Sequence, residues 1–169
     1  MARTLVKRSD KVSFLGCLGE NNQETFNRMR GFTTLSGSKN SIEYSRQYVD
    51  EEFETTDVVG FSPSMDFGFD QYKDDPAHEE MVEILDGEYT GTNARRNIVT
   101  VDFSQPGETS GTYKAVKREY AVIGDAEGDS MEAYTYSGTF RSTGKRITGT
   151  ATVSADGTTT TFTEDGVGL

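Results

Sequence analysis

Apolar positions recur at period two along most of the chain. Ile42, Tyr44, Arg46 and Tyr48 alternate with Glu43, Ser45 and Gln47, the pattern of a half-buried strand. Met65, Phe67 and Phe69 alternate with Ser64, Asp66, Gly68 and Asp70, which gives one apolar and one wet face. Ile98 to Phe103 is β-branched, Thr112 to Ile123 reads as one long strand, and Met131 to Arg141 reads as another with Tyr134, Tyr136 and Phe140 on one face. Ile147, Ala151 and Val153 oppose Thr148, Thr150 and Thr152; Asp156-Gly157 then predicts a tight hairpin turn into a strand from Thr158 to Thr163. Ser142-Thr143-Gly144-Lys145 is read as a further hairpin connection. Gly16 to Gly31 has no clean period and is expected to be a loop or arm following an N-terminal strand, and residues 164–169 a loose tail.

One segment breaks this rhythm. In 74–87 an Asp stands at the N-cap position, Pro76 in the first turn, Glu79 and Glu80 near the positive dipole end and Gly87 at the stop. Ala77, Met81, Ile84 and Leu85 form a stripe able to lie on a sheet, so a short helix is expected at about 75–86. No repeat or linker marks a second unit, and the expectation is one mainly β domain over 1–169, an antiparallel sandwich or barrel with one flanking helix.

Composition narrows the chemistry. No apolar run reaches the length of a membrane-spanning helix, and Met1 to Arg8 has neither an apolar core nor a cleavage site, so no secretory signal is expected. With Cys17 as the one cysteine, an internal disulfide and a multi-cysteine zinc site are excluded. Nucleophile elbow, phosphate loop and zinc-helix motifs are all missing. His78, the one histidine, is expected to be solvated or partly packed in the helix, and a Cys17–His78 nucleophile pair has no local support. Asp125 to Asp129 resembles the start of a calcium loop, but Ser130 and Tyr136 stand where Gly and Glu are needed, so a turn between strands is the simpler reading. No catalytic residue, metal or cofactor is expected.

Charge is the uneven property. The net is −11, yet residues 1–48 carry eight basic and four acidic residues, residues 49–90 one and fourteen, and residues 91–169 eight and ten. A pI near 4.5 argues against tight nucleic-acid binding. A solvated surface is the simpler account of the asymmetry; the sharper one is complementary patches on copies of the chain.

The order of segments is itself informative. Asn40 to Glu51 leads into Glu54-Thr55-Thr56-Asp57-Val58-Val59-Gly60-Phe61-Ser62-Pro63-Ser64; the strand at Met65, the helix and the late hairpin at Gly149 to Thr158 follow. In this order, from about Phe32 onward, the chain resembles the major tail tube proteins of long-tailed bacteriophages. The resemblance implies a β-sandwich with a flanking helix, joined into homohexameric rings that stack into a hollow tube. It also implies a virion-tail location after assembly in the host cytoplasm. Implied partners are a tape-measure protein, a tail terminator, baseplate or tip proteins, and viral DNA passing through without specific binding. A monomeric β-barrel or sandwich module binding a small ligand or carbohydrate is the competing reading.

A tube needs contacts along its axis. Asp50 to Phe61 combines acidic residues with Phe53, Val58, Val59 and Phe61, too apolar for a merely solvated connection between strands. Asp50, Glu51, Glu52, Phe53, Glu54, Asp57 and Phe61 are therefore expected to form a ring-stacking loop. Arg3, Lys7, Arg8, Lys11, Arg28 and Arg30 are the candidate opposing surface.

Overall fold

A computed structural model describes residues 2–166; residues 167–169 of the expected tail lie outside the described residues. Eleven strands and one α-helix follow in the order β1 (Lys11–Leu18), β2 (Glu24–Arg28), β3 (Phe32–Ser38), β4 (Ser41–Arg46), β5 (Thr55–Phe61), β6 (Ser64–Asp70), α1 (Pro76–Asp86), β7 (Arg95–Pro106), β8 (Thr112–Glu127), β9 (Thr135–Ser142), β10 (Ile147–Val153) and β11 (Thr159–Glu164). The mainly β, antiparallel fold with one flanking helix matches the expectation. Six strands close into a barrel in the order β7-β1-β2-β11-β10-β8. Strands β9, β6 and β3 continue the sheet outward from β8, and β4 and β5 form a separate two-stranded hairpin.

The long strand β8 makes both parts possible. Its first half pairs with β10 (Thr112 opposite Thr152 through Lys117 opposite Ile147). Its second half pairs, on the same edge, with β9 (Tyr120 opposite Ser142 through Glu127 opposite Tyr136). Ser142 to Lys145 is thus not a hairpin turn. It joins two strands lying end to end along β8, and is tied there by the Thr143 N–H and hydroxyl donating to the Glu119 carbonyl and carboxylate. The actual reversal lies at 128–134, so the strand expected from Met131 begins only at Thr135, and Asp125 to Glu127 are strand rather than turn.

Residues 16–31 also depart from expectation. Instead of an arm they complete β1 and form β2, which pair from Phe14 opposite Arg28 to Leu18 opposite Glu24. Asn21 and Asn22 turn the chain between them at positive φ, a conformation short amide side chains tolerate.

Two cores lie back to back. Inside the barrel, Phe14, Val99, Val101, Ala115 and Ala151 are buried, and Phe26, Tyr113 and Phe162 pack around them. Outside it, Leu15, Cys17 and Ile98 on the barrel wall meet Phe67, Phe69, Tyr136 and Phe140 of the extended sheet and Ala77, Met81 and Ile84 of the helix. Gly124 and Gly138 face each other across β8 and β9 on this inner side. A Cβ on Gly124 would collide with the end of Leu85, and one on Gly138 with the Ile123 carbonyl and the Phe67 ring.

The helix is fixed at both ends. Asp75 is its N-cap, its carboxylate accepting from the Ala77 and His78 N–H groups, and Tyr136 donates its hydroxyl to Asp86 at the other end. Glu80 forms a buried ion pair with Arg96 of β7 at 2.6 Å. Of the expected stripe, Met81 and Ile84 are fully buried, whereas Leu85 is only half-buried over Gly124. Met81→Ala should therefore cost about 2–5 kcal/mol in denaturant unfolding. Leu85→Ala should cost clearly less, and equal costs would contradict this packing.

Candidate assembly surfaces

Three surfaces carry groups that neither core uses. The first is the outer face of the four-stranded sheet β8-β9-β6-β3. Alternation places Phe67, Phe69, Tyr136 and Phe140 in the core, so their neighbours Asp66, Gly68, Thr135, Ser137 and Thr139 face outward, joined by Thr34 and Ser36 of β3. Thr139 donates to the Asp66 carboxylate at 3.1 Å across the β6–β9 pair. Ile123 is the one large apolar group in this wall, and it is partly exposed. Beyond β3 the sheet has no further strand, so the outer edge of Phe32–Ser38 offers backbone groups for pairing.

The second surface is the β4–β5 hairpin. Residues 55–61, expected as loop, are a strand paired with β4 from Ser41 opposite Phe61 to Arg46 opposite Thr55, with a bulge near Val59. The loop proper is only 47–54. Asp50, Glu51, Glu52, Phe53 and Glu54 thus stand together at the hairpin tip, while Asp57 lies midway beside Tyr44 and Phe61 at the root. The hairpin buries none of its side chains; Ile42, Tyr44, Tyr48, Val49, Phe53, Val58, Val59 and Phe61 are all exposed, Phe53 by 79%. Arg46 lies over the Tyr44 and Tyr48 rings and stiffens one face. A seven-residue strand carries the tip roughly 20 Å from the body.

The third surface is basic, and the structure divides it. Lys7 donates its N–H to Asp10, and the Arg8 guanidinium donates to the carbonyls of Lys11 and Leu35, holding the N-terminal segment against β3. Arg3 is exposed ahead of them. Lys11 stands opposite Asp102, whose carboxyl is held below the usual range by hydrogen bonds from Ser104 with a smaller contribution from Lys11. Arg28 sits beside the β10–β11 turn at Gly157 and Arg30 beside Asp75 at 4.0 Å. Arg8 and Lys11 thus lie together, whereas Arg28, at the β10–β11 turn, and Arg30, at the helix N-cap, have different neighbours.

No family model matches the sequence, and no curated protein does. Among solved structures, a chain in the cryo-EM structure of the anti-feeding prophage baseplate, six-fold symmetrised, superposes with a TM-score of 0.50 at 13% identity. The match covers 88% of this chain and 97% of that one. The two chains share a fold. At this identity the likeness concerns architecture alone, and it includes nearly the whole of the neighbour.

Reactive side chains lie elsewhere and are occupied. Contrary to expectation, His78 is fully buried; the Tyr72 N–H donates to its Nδ1 and its Nε2 donates to the Arg30 carbonyl, with the Phe69 ring 4.7 Å away. The ring is thereby a strut joining α1 to the segments that follow β2 and β6. Cys17 is buried beside the Leu15 and Pro76 carbonyls, and burial pushes its thiol up to about 12. A thiol so placed stays protonated at neutral pH and cannot serve as a nucleophile. Cys17 should not react with a disulfide-exchange reagent at pH 8 in the folded chain, and should react stoichiometrically in denaturant. Fast modification of folded protein would contradict the buried thiol.

Proposed function

We propose that this chain is a structural subunit of a phage-tail-like particle, assembling into hexameric rings that stack into a hollow tube for DNA delivery. The observation that carries the reading is the β4–β5 hairpin. Eight large apolar side chains on an element that buries nothing in its own chain have no folding role and are a solubility hazard unless another subunit covers them. The shared fold with the prophage baseplate chain supports the same class of role.

Two further features fit. The Thr, Ser, Gly and Asp face of the β8-β9-β6-β3 sheet is suited to a wetted lumen wall, because short polar groups and a few carboxylates give phosphates nothing to condense on. The unpaired edge of β3 would be covered when neighbours join around a ring, which removes the aggregation risk of an open edge. Of the competing reading, a monomeric barrel or sandwich module for a small ligand or carbohydrate, the small-ligand form is disfavoured because Phe14, Phe26, Phe162 and their neighbours fill the barrel. Tape-measure, terminator and tip proteins are the remaining partners in this proposal.

The test is assembly. Because β4 and β5 pair only with each other, replacing residues 43–59 by Asn-Gly should leave a folded chain. Concentrated wild-type protein should form tubes visible by negative-stain electron microscopy, and the shortened chain should give rings or monomers. Wild-type protein that remains monomeric at every concentration, or a shortened chain that still forms tubes, would overturn the proposal.

A further inference from the structure

Between the outer wall of the barrel and the end of the four-stranded sheet runs a groove of about 1160 Å³. That exceeds the range of about 300–1,000 Å³ typical of small-molecule pockets, so it has room for a segment of polypeptide. Its charge is opposite to that of the chain as a whole. Lys11, Lys39, Lys114, Arg118 and Arg146 all line it, drawn from β1, the β3–β4 connection, β8 and the residue before β10. Three carboxylates also reach it, those of Asp102, Glu108 and Asp165, and Asp102 is already engaged by Ser104 and Gln105.

The cations are unspent. Among the described residues the ion pairs within 4.0 Å are Arg30–Asp75 and Arg96–Glu80, and neither involves a groove residue. The Nε–H of Arg118 is buried with no acceptor. One guanidinium donor therefore lacks a protein acceptor, while the same side chain hydrogen-bonds the Tyr120 hydroxyl.

The matching anion is in the same sequence. The hairpin tip carries Asp50, Glu51, Glu52 and Glu54 around the exposed Phe53. Its own groove is out of reach: the hairpin is rooted at Asn40 and Ser62, next to Lys39 and Pro63 on the groove rim, and its paired strands carry the tip roughly 20 Å outward. We propose that the acidic hairpin tip of a second copy seats in this groove, with its carboxylates on Lys39, Lys114, Arg118 and Arg146. The proposal rests on the tube reading above and supplies the surface that receives the hairpin. Of the N-terminal cations singled out from sequence, only Lys11 lines that surface. The contact is heterologous, tip to groove, and leaves a free tip and a free groove on every pair; the rotation between copies decides whether such a contact closes into a ring or extends, and the tube reading takes it along the axis.

Full-length protein tests this by charge exchange. Lys39→Glu with Lys114→Glu and Arg146→Glu reverses exposed groove positions. Glu51→Lys with Glu52→Lys and Glu54→Lys reverses the tip. Each set should raise the concentration needed for sedimentable assembly at low salt by about tenfold or more, and both sets in one chain should restore it. If the groove reversal fails to fold by circular dichroism, Gln at the same three positions is read the same way for the loss. Assembly unchanged by the groove set but lost with the tip set would overturn the groove as receptor while leaving the tube reading intact. No restoration in a folded double set would overturn it too. A groove set that loses only retention on duplex DNA would replace the hairpin by a nucleic acid as the occupant. Wild-type protein that never assembles would remove the tube reading and this proposal together.

Discussion

Everything in this fold depends on one strand changing partners. β8 is sixteen residues long, and one of its edges serves β10 and then β9. A barrel of six strands that closes has no edge to extend, and an open sheet has no enclosed core. By running past the barrel, β8 supplies both. The exchange occurs between Lys117 and Tyr120, where Glu119 captures Thr143 and holds the crossing chain in place.

From that geometry the two cores follow. Successive residues of β1 belong to different cores, Phe14 to the barrel and Leu15 to the layer beneath the helix. The helix closes the second core, and its Glu80–Arg96 pair is best understood as an orienting contact. A buried pair of this kind contributes little net stability against an apolar substitute, whereas removing one partner strands the other charge. Leu18 N–H also donates to Glu80, so one carboxylate places helix, β1 and β7 together.

What could be read from the sequence divides along the range of the interactions. The helix was legible because cap, Pro76 and stripe are local signals. β6 and β10–β11 were legible because each has a wet face that preserves period two, and β7 as a run of β-branched residues, although Ile98 and Val99 are buried on opposite faces. An N-terminal strand was expected, but the extent of β1 and the whole of β2 were not legible; residues 13–17 are buried on both faces, so no alternation survives in β1. β5 was misread as loop because the bulge near Val59 breaks its phase, although Thr55-Thr56-Asp57-Val58-Val59 is a β-branched run that could have signalled it. The acidic tip was legible as a charged, aromatic-bearing segment. The groove was not, since its cations lie between positions 11 and 146 and meet only through non-local pairing.

The same distinction explains why so acidic a chain keeps unpaired cations. Charges paired within a subunit would neutralise each other and offer nothing to a neighbour. Here six of the acidic residues stand on a projecting arm and five cations line a recess at its root, and among the described residues no ion pair within 4.0 Å joins the two sets. The separation leaves long-range attraction available for encounter, while Phe53 and the hairpin's other apolar groups supply the burial that makes a contact last. Strand β3 adds an edge without a strand partner, along which Arg8 reaches the Leu35 carbonyl. A subunit whose stability required these groups could not also present them. The barrel and the helix layer carry the folding, and the hairpin, groove and strand edge take no part in either core.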